Sequence, residues 1–170
     1  MNPNHEEVAI VDARNRVTGS APRHIMRARR LIHRATYILV FNAKGEIFVQ
    51  KRTMGKDIYP GYFDVATGGV VLAGESYRES AARELAEELG ATRVELEKHF
   101  DFFHDETDNK VWGRVFSCRY DGEITLQAEE VADGFFMAMD EVLAMAAQHP
   151  FTPDGLLVLH RFLAEKSANG

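Results

Sequence analysis

The segment 68–91, "GGVVLAGESYRESAARELAEELGA", decides the fold prediction because it joins a strong helix signal to glycines at both ends. Ser76 and Glu79 have the spacing of a capping box, and Gly90 stands where such a helix would end. The apolar side of the helix is formed by Ala82, Leu85 and Leu89. The segment therefore predicts a helix over residues 76–89 with one buried face.

The same segment places three glutamates, Glu84, Glu87 and Glu88, about one helical turn apart. At 3.6 residues per turn their side chains share one strip of the helix, where like charges repel. A solvated acidic helix would explain this strip, but it leaves the flanking glycines and Glu75 unexplained. Mg²⁺ and Mn²⁺ prefer carboxylate oxygens and often join them to substrate phosphates. The whole pattern therefore favours a divalent-metal site.

Three residues beside the glutamates support the same hypothesis. Gly68 and Gly69 would let the backbone approach a metal, and the carbonyl oxygen of Gly69 is a candidate ligand. Arg83 lies on the border of the glutamate strip, from where it would hold a glutamate in position.

From Gly69 the chain reads G-x5-E-x7-R-E-L-x-E-E-x-G, which resembles the signature of the Nudix hydrolases. The seven specified positions after Gly69 coincide by chance at roughly one in 10⁸ to 10⁹ starts, so the match is specific. One departure is Ala91, where the signature has a bulky aliphatic residue that only packs. The resemblance implies an α+β fold, an α/β/α sandwich in which a mixed sheet carries helices on its faces.

The resemblance also implies a function, the metal-dependent cleavage of a phosphoanhydride bond in a nucleoside diphosphate linked to another group or in a similar compound. Carried over residue by residue, it makes Glu84, Glu87 and Glu88 the ligands of Mg²⁺ or Mn²⁺. Arg83 becomes the residue that orients them, and Glu75 supports the loop and the helix. Glu84, Glu87 and Arg83 are thus the expected catalytic residues.

The general base is left open by the sequence. Cleavage of a diphosphate needs cations that neutralise its oxygens and a carboxylate that takes a proton from water. Glu84 or Glu87 would serve, as would a loop acid at Glu129 or Glu130. Arg52, which ends the predicted strand "EIFVQKR", is the candidate for contact with a substrate phosphate.

Two other functions compete with hydrolysis. Residues 33–69 also resemble the isopentenyl-diphosphate isomerases, and His33 matches a metal ligand of that family. However, Gly68 and Val70 stand where those enzymes have a catalytic cysteine and a metal-binding histidine, and Cys118 lies far along the chain. A ligand sensor without turnover would be expected to lose signature carboxylates, which are all present. We therefore rank hydrolase first, sensor second and isomerase third.

Length and composition set the expectations for the whole chain. A chain of 170 residues with 45% hydrophobic residues predicts a single domain over residues 1–170. The lone cysteine excludes an internal disulfide, and the run "ATYILVF" is too short to cross a bilayer. A net charge of −6 argues against generic binding to nucleic acid. We expect a cytoplasmic protein that binds a small-molecule diphosphate, without nucleic-acid or membrane partners.

The charge is unevenly distributed along the chain. Residues 1–56 carry 11 Lys/Arg against 4 Asp/Glu, a net charge of +7, and the remainder carries −13. Four arginines follow one another at steps of four, three and four: Arg23, Arg27, Arg30 and Arg34. This spacing predicts a single basic helical face, which would bind phosphate or a partner, or would pair with the acidic remainder or with a second subunit in a homodimer.

The elements outside the signature are predicted from hydrophobic periodicity. Strands are predicted at residues 7–12, 33–42, 46–52, 99–103, 110–120 and 134–139. Helices are predicted within residues 20–30, 139–148 and 152–166. The second and third strands, joined by "AKG", predict a hairpin.

Overall fold

The computed structural model describes residues 2–169 and has the α+β architecture that the sequence predicts, a mixed sheet with helices on both faces. Its sheet contains eight strands within these residues: β1 Glu7–Val11, β2 Val17–Pro22, β3 His33–Phe41, β4 Ile47–Arg52, β5 Phe63–Asp64, β6 Glu97–Glu106, β7 Asn109–Arg119 and β8 Val131–Met137. The α-helices are α1 Arg23–Arg29, α2 Tyr77–Leu89, α3 Met139–Ala146 and α4 Pro153–Asn169. None of these helices is long and apolar enough to span a membrane.

Strand β3 organises the centre of the sheet. It pairs in parallel with β7 along its whole length. On its other side, β3 bonds to the segment that leads into α2, where Ile38 exchanges hydrogen bonds with Thr67 over 2.7 and 2.9 Å. The predicted hairpin of β3 and β4 is therefore paired only at its closed end, between Phe41 and Ile47. Beyond that point β4 pairs with β5 and β8.

Both faces of β3 are buried, because helices cover the two sides of the sheet. Tyr37 and Leu39 belong to the core that α3 and α4 complete. Ile38 and Val40 belong to a second core, which α2 covers. A strand that is buried on both faces needs apolar residues at successive positions, which explains the unbroken run "ATYILVF".

Helix α2 has the boundaries that the sequence predicts. The hydroxyl of Ser76 accepts a hydrogen bond from the backbone of Glu79, and the Glu79 carboxylate accepts one from the backbone of Ser76. At the other end Gly90 adopts the left-handed conformation with φ of 69°. Leu85 and Leu89 are fully buried against the sheet. Ala82, which the sequence predicts on the same side, is exposed, and Ala81 is buried instead. The helix therefore turns its glutamate strip away from the core, with Glu88 at the border.

The prediction of one basic helical face is wrong. Helix α1 ends at Arg29, and Arg30 leaves it in the left-handed conformation with φ of 54°. Arg34 lies on β3, which begins at His33. The helix is also shorter than its predicted range, because residues 20–22 belong to β2. Pairing with the sheet on both sides leaves this segment room for only two helical turns.

The arginines of this segment consequently do not share one binding surface but contact different parts of the chain. Arg23 and Arg27 both bind the carboxylate of Asp57, with N–O distances of 3.1 and 2.9 Å. Arg30 lies 3.8 Å from the exposed Asp108. The basic segment is thus divided among local contacts, in which two carboxylates face its five arginines.

Candidate active site

A cleft of about 300 Å³ opens beside the outward side of α2. Among its lining residues are six that the sequence predicted for the site: Gly69, Arg83, Glu84, Glu87, Glu88 and Glu130. We call this space the glutamate cleft. Residues 69 and 130 are far apart in the chain, so the fold brings the glycine loop, the helix and the loop before β8 to one place.

Two glutamates of the cleft are largely shielded from solvent, and one of them, Glu88, has little compensation for its charge. Glu88 is only 5% exposed, and its Oε2 atom has no hydrogen-bond partner among residues 2–169. Burial, and then the neighbouring Glu84, raise the pKa of Glu88 well above its usual range. Burial also raises the pKa of Glu84, although Arg83 opposes that shift. A cation bound in the cleft would lower both pKa values.

Arg83 connects three glutamates, as the sequence led us to expect of an orienting residue. Its Nε and Nη2 atoms donate to the two oxygens of Glu75 at 2.7 and 3.0 Å, a bidentate pair. Its Nη1 atom donates to Glu84 at 2.9 Å and to Glu87 at 3.2 Å. Glu75 also accepts the backbone N–H of Leu72 at 2.9 Å. Glu75 and Arg83 together tie the glycine loop to α2.

The glycines of the loop are required by close approach. A Cβ atom on Gly69 would lie 2.7 Å from Oε1 of Glu84, which would push that carboxylate away. A Cβ atom on Gly68, which has φ of 144°, would lie 2.2 Å from the carbonyl oxygen of Thr36. The carbonyl of Gly69 accepts the backbone N–H of Thr36 at 2.9 Å, and the Thr36 hydroxyl lies 3.4 Å from the same oxygen, so a cation would compete with this longer contact.

The donor set of the cleft fits a hard divalent cation, although the ligands are not preassembled. Among residues 2–169 no three acidic, histidine or cysteine side chains converge closely enough to form a finished metal cluster. Arg83 holds Glu84 and Glu87, and the Glu87 side chain is 47% exposed. Carboxylate oxygens are nevertheless the ligands that Mg²⁺ and Mn²⁺ prefer, and Glu88 offers one that is buried without a partner.

The structure separates the two loop acids. Glu130 lines the glutamate cleft and forms an ion pair with Lys56. Glu129 is exposed and does not line the cleft, and its carbonyl accepts the hydroxyl of Thr53 at 3.1 Å. Lys56 itself was missed from the sequence, because a lysine in the polar turn "TMGKDIYPGY" is an ordinary surface pattern.

Arg52 does not lie in the glutamate cleft. It lines a smaller space of about 70 Å³, the inner pocket, on the other side of the loop at residues 68–70. Its Nε and Nη2 atoms donate to the carbonyl of Ile58 at 3.2 and 2.9 Å, and Nη1 lies 3.9 Å from Asp64. Contact between Arg52 and a substrate phosphate stays a prediction.

Two residues that bear on the isomerase alternative, His33 and Cys118, are buried in the fold. His33 is buried, its Nδ1 atom lies 3.1 Å from the carbonyl of Leu31, and burial together with Arg27 lowers its pKa to about 3. Cys118 is a buried thiol on β7, and burial raises its pKa to about 11. Neither side chain lines the glutamate cleft.

Comparison with known proteins identifies the family of this chain. A family profile for the NUDIX domain matches residues 31–161. An uncharacterized Nudix hydrolase of Pseudomonas aeruginosa is 48% identical over 158 residues, which are 93% of this chain and 94% of that protein. The uncharacterized Nudix hydrolase YfcD of Escherichia coli K12 is 42% identical over 164 residues, 96% of this chain and 90% of YfcD.

A solved structure shows the same fold over almost the whole chain. The crystal structure of DR0079 from Deinococcus radiodurans superimposes with a TM-score of 0.79 at 25% sequence identity, covering 92% of this chain and 98% of that one. The fold, the signature residues gathered in one cleft and these relatives lead to one conclusion. The chain belongs to the Nudix hydrolase family, whose members act on phosphoanhydride bonds in phosphorus-containing compounds.

Proposed function

We propose that this chain is a divalent-metal-dependent hydrolase of a small diphosphate compound, such as a nucleoside diphosphate linked to another group. The observation that carries the proposal is the buried, unpartnered Oε2 atom of Glu88 in the glutamate cleft. Burying a carboxylate without a partner is costly, and a second carboxylate beside it adds repulsion. A bound cation would turn this unfavourable arrangement into a favourable one.

The proposed ligands of Mg²⁺ or Mn²⁺ are Glu84, Glu87, Glu88 and the carbonyl of Gly69. A bound metal ion supplies charge neutralisation for the diphosphate and makes water more acidic. Arg83 keeps Glu84 and Glu87 at the wall of the cleft, because Glu75 anchors its guanidinium from the other side. Both glutamates can approach a cation by exchanging one contact with Arg83.

The proton of the attacking water needs a carboxylate as its acceptor. The candidates are Glu84, Glu87 and Glu130, which all line the glutamate cleft. Glu130 is the candidate outside the signature, and it forms an ion pair with Lys56. A base variant should lower kcat without weakening Mg²⁺ binding, whereas a ligand variant should change both.

The loop geometry supports hydrolysis over isomerisation. Protonation of a carbon–carbon double bond requires a positioned acid, and the resembling isomerases use a cysteine where this chain has Gly68. Any side chain at this position would begin with a Cβ atom only 2.2 Å from the carbonyl oxygen of Thr36, so the loop has no room for one.

We also propose that residues 1–170 act as one domain. Strand β1 pairs with β2 and with β3, so the N-terminal segment belongs to the same sheet as the signature region. Val8, Met26 and Val70 form a shared buried cluster that joins this segment to the glycine loop.

The test is hydrolysis of a panel of diphosphate compounds, including isopentenyl diphosphate, in ¹⁸O-labelled water with Mg²⁺ or Mn²⁺. Label in a phosphate product, lost when the metal is chelated, supports the proposal. Formation of dimethylallyl diphosphate without release of phosphate would identify an isomerase. Tight binding of a panel compound without any turnover would identify a sensor.

A further inference from the structure

The inner pocket adjoins the glutamate cleft across the glycine loop. Both spaces are lined by residues 68–70, and Arg23 and Lys56 also contribute to each. A compound whose diphosphate lies in the glutamate cleft would therefore extend its other end towards the inner pocket. The volume of about 70 Å³ accommodates roughly five water-sized groups, which corresponds to one edge of a sugar ring.

Two aspartates that the hydrolytic mechanism does not use line this pocket. Asp154 is only 9% exposed, and its Oδ2 atom accepts the hydroxyl of Tyr37 at 2.7 Å and the amide of Asn109 at 3.4 Å. Its Oδ1 atom is buried and has no hydrogen-bond partner among residues 2–169. Asp64, equally buried, accepts the backbone N–H of Ala66 at 3.0 Å.

Among the described residues, no group donates a hydrogen bond to the Oδ1 atom of Asp154. Arg52 is the guanidinium nearest to Asp64, at 3.9 Å, and it directs two of its donors to the carbonyl of Ile58. Burial, and then the neighbouring Asp154, raise the pKa of Asp64 to about 7, which shows how weakly Asp64 is compensated. A buried acceptor that lacks a donor costs free energy comparable to a lost hydrogen bond.

The chemical nature of the missing donor decides which group fits the pocket. A hydrocarbon chain would leave the Oδ1 atom of Asp154 without a partner and would exclude the water that could replace one. A hydroxyl or amino group would donate to it. A site that hydrogen-bonds a polar group of its ligand strongly rejects analogues that lack this group. This discrimination is much larger than the discrimination by size in an apolar pocket.

We propose that the inner pocket binds the non-phosphate part of the substrate and that Asp154 selects substituents carrying hydroxyl or amino donors, such as a sugar, over hydrocarbon chains. The assignment rests on the proposed function, which seats the diphosphate in the glutamate cleft. It narrows the substrate class to polar diphosphate conjugates and makes Asp154 a specificity-determining residue.

The test compares two methylene-bridged diphosphate analogues, one bearing a sugar and one bearing an alkyl group of similar size. Their binding is measured by calorimetry with Mg²⁺, and methylenediphosphonate provides the baseline. We expect the sugar analogue to bind at least about tenfold more tightly than the alkyl analogue, the difference of one hydrogen bond to a charged group. Equal or tighter binding of the alkyl analogue would overturn the proposal.

The variant Asp154→Asn sharpens this test. It keeps the size of the side chain and an acceptor for Tyr37, but it replaces the charged acceptor by an amide. Affinity for the sugar analogue should fall about tenfold, and affinity for methylenediphosphonate should not change. The control Asp105→Asn changes an exposed aspartate on β6 and should leave both affinities as they are. An unchanged affinity for the sugar analogue in Asp154→Asn would contradict the role of Asp154.

The outcomes separate this proposal from the proposed function. Selective binding of the sugar analogue without hydrolysis of any compound would remove the hydrolase assignment and leave the pocket assignment intact. Hydrolysis without selective binding of the sugar analogue would remove the pocket assignment and leave the hydrolase assignment intact. Absence of binding by both analogues would overturn the pocket assignment. If Asp154→Asn fails to fold, the comparison of the two analogues on the unaltered protein still decides the question.

Discussion

The glutamates of α2 and the arginines around α1 have the same kind of spacing in the sequence, but only the glutamates share one helix in the structure. Both sets are like charges at helical spacing. Glu84, Glu87 and Glu88 lie on one helix and line one cleft. Arg30 and Arg34, by contrast, lie outside the helix that holds Arg23 and Arg27. Regular spacing therefore predicts a shared face only where the helix itself continues.

The ends of the two helices explain the difference. Helix α2 has a complete capping box at Ser76 and a left-handed glycine at Gly90. Helix α1 follows Pro22, which provides no side-chain cap, and it stops when the chain enters β3. A short helix without a side-chain cap has little stability of its own, because most helical stability in proteins comes from packing. The residues that flank α1 therefore join the neighbouring strands β2 and β3.

The two regions also differ in how far neighbouring charges compensate a buried carboxylate. Burial acts to raise the pKa of Asp57, but Arg27 and Arg23 overcome it and hold that pKa well below its usual range. Glu88 shows the opposite shift, because burial raises its pKa and the neighbouring Glu84 raises it further. Neighbouring arginines thus compensate the buried charge of Asp57, whereas burial and a second acid prevail at Glu88.

The largest effect is expected from Glu88→Gln. Removal of one anionic metal ligand costs several kcal/mol of transition-state stabilisation, so turnover should fall at least about 100-fold. Mg²⁺ affinity, measured by calorimetry, should fall as well. The metal-free protein should become more stable, because a like-charge repulsion is removed.

A matched control for this variant is Glu141→Gln, which alters an exposed glutamate on α3. It should retain turnover, metal affinity and stability. Wild-type turnover of Glu88→Gln at limiting Mg²⁺ would show that the glutamate strip is not the metal site.

The next largest effect concerns pH, through Asp64. Its pKa rises from 3.8 to about 7 in the folded protein, so the folded state binds more protons than the unfolded state in this interval. Stability should therefore decrease as pH rises from about 4 through about 7. Asp64→Asn should flatten this dependence, measured as the free energy of unfolding in urea without metal. The opposite slope in wild type, or an unchanged slope in Asp64→Asn, would contradict the weak compensation of this acid.

A smaller effect is expected from Asp57→Asn, which breaks the pairing of the basic segment. It leaves Arg23 and Arg27 without a carboxylate and should lower the free energy of unfolding by about 2 kcal/mol. The control Asp108→Asn removes the exposed partner of Arg30 and should change stability by less than about 1 kcal/mol. Equal effects of the two variants would show that burial does not distinguish these ion pairs.

The smallest effect is expected from Ser76→Ala, which weakens the cap that keeps the glutamates on one helix. Loss of an N-cap hydroxyl costs about 1 kcal/mol, to be measured by denaturant unfolding. Turnover should change little, because Arg83 and Glu75 still position the strip. Ser167→Ala, at an exposed position of α4, is the control and should have no effect. A loss of activity greater than the loss of folded protein would mean that the cap also positions the ligands.

Local signals in the sequence were enough for much of the fold. Six of the eight strands within residues 2–169, the four α-helices and the boundaries of α2 follow from periodicity, caps and turn residues, which act between near neighbours in the chain. Strands β2 and β5 are not among the predicted strands. The predicted hairpin is paired only at its closed end because β3 takes its other partners from distant segments. A pattern among near neighbours in the sequence cannot show that distant segments compete with β4 for pairing with β3.

The same distinction applies to the sites. The sequence by itself determined the glutamate strip, Arg83 and the glycine loop, because one capped helix and its preceding turn hold them all within residues 68–91. Only the tertiary structure placed Glu130 and Lys56 at the same cleft and brought Asp64 and Asp154 together in the inner pocket. These contacts depend on sheet pairing and helix packing between segments up to 90 residues apart, and such long-range contacts leave no periodic signal along the chain.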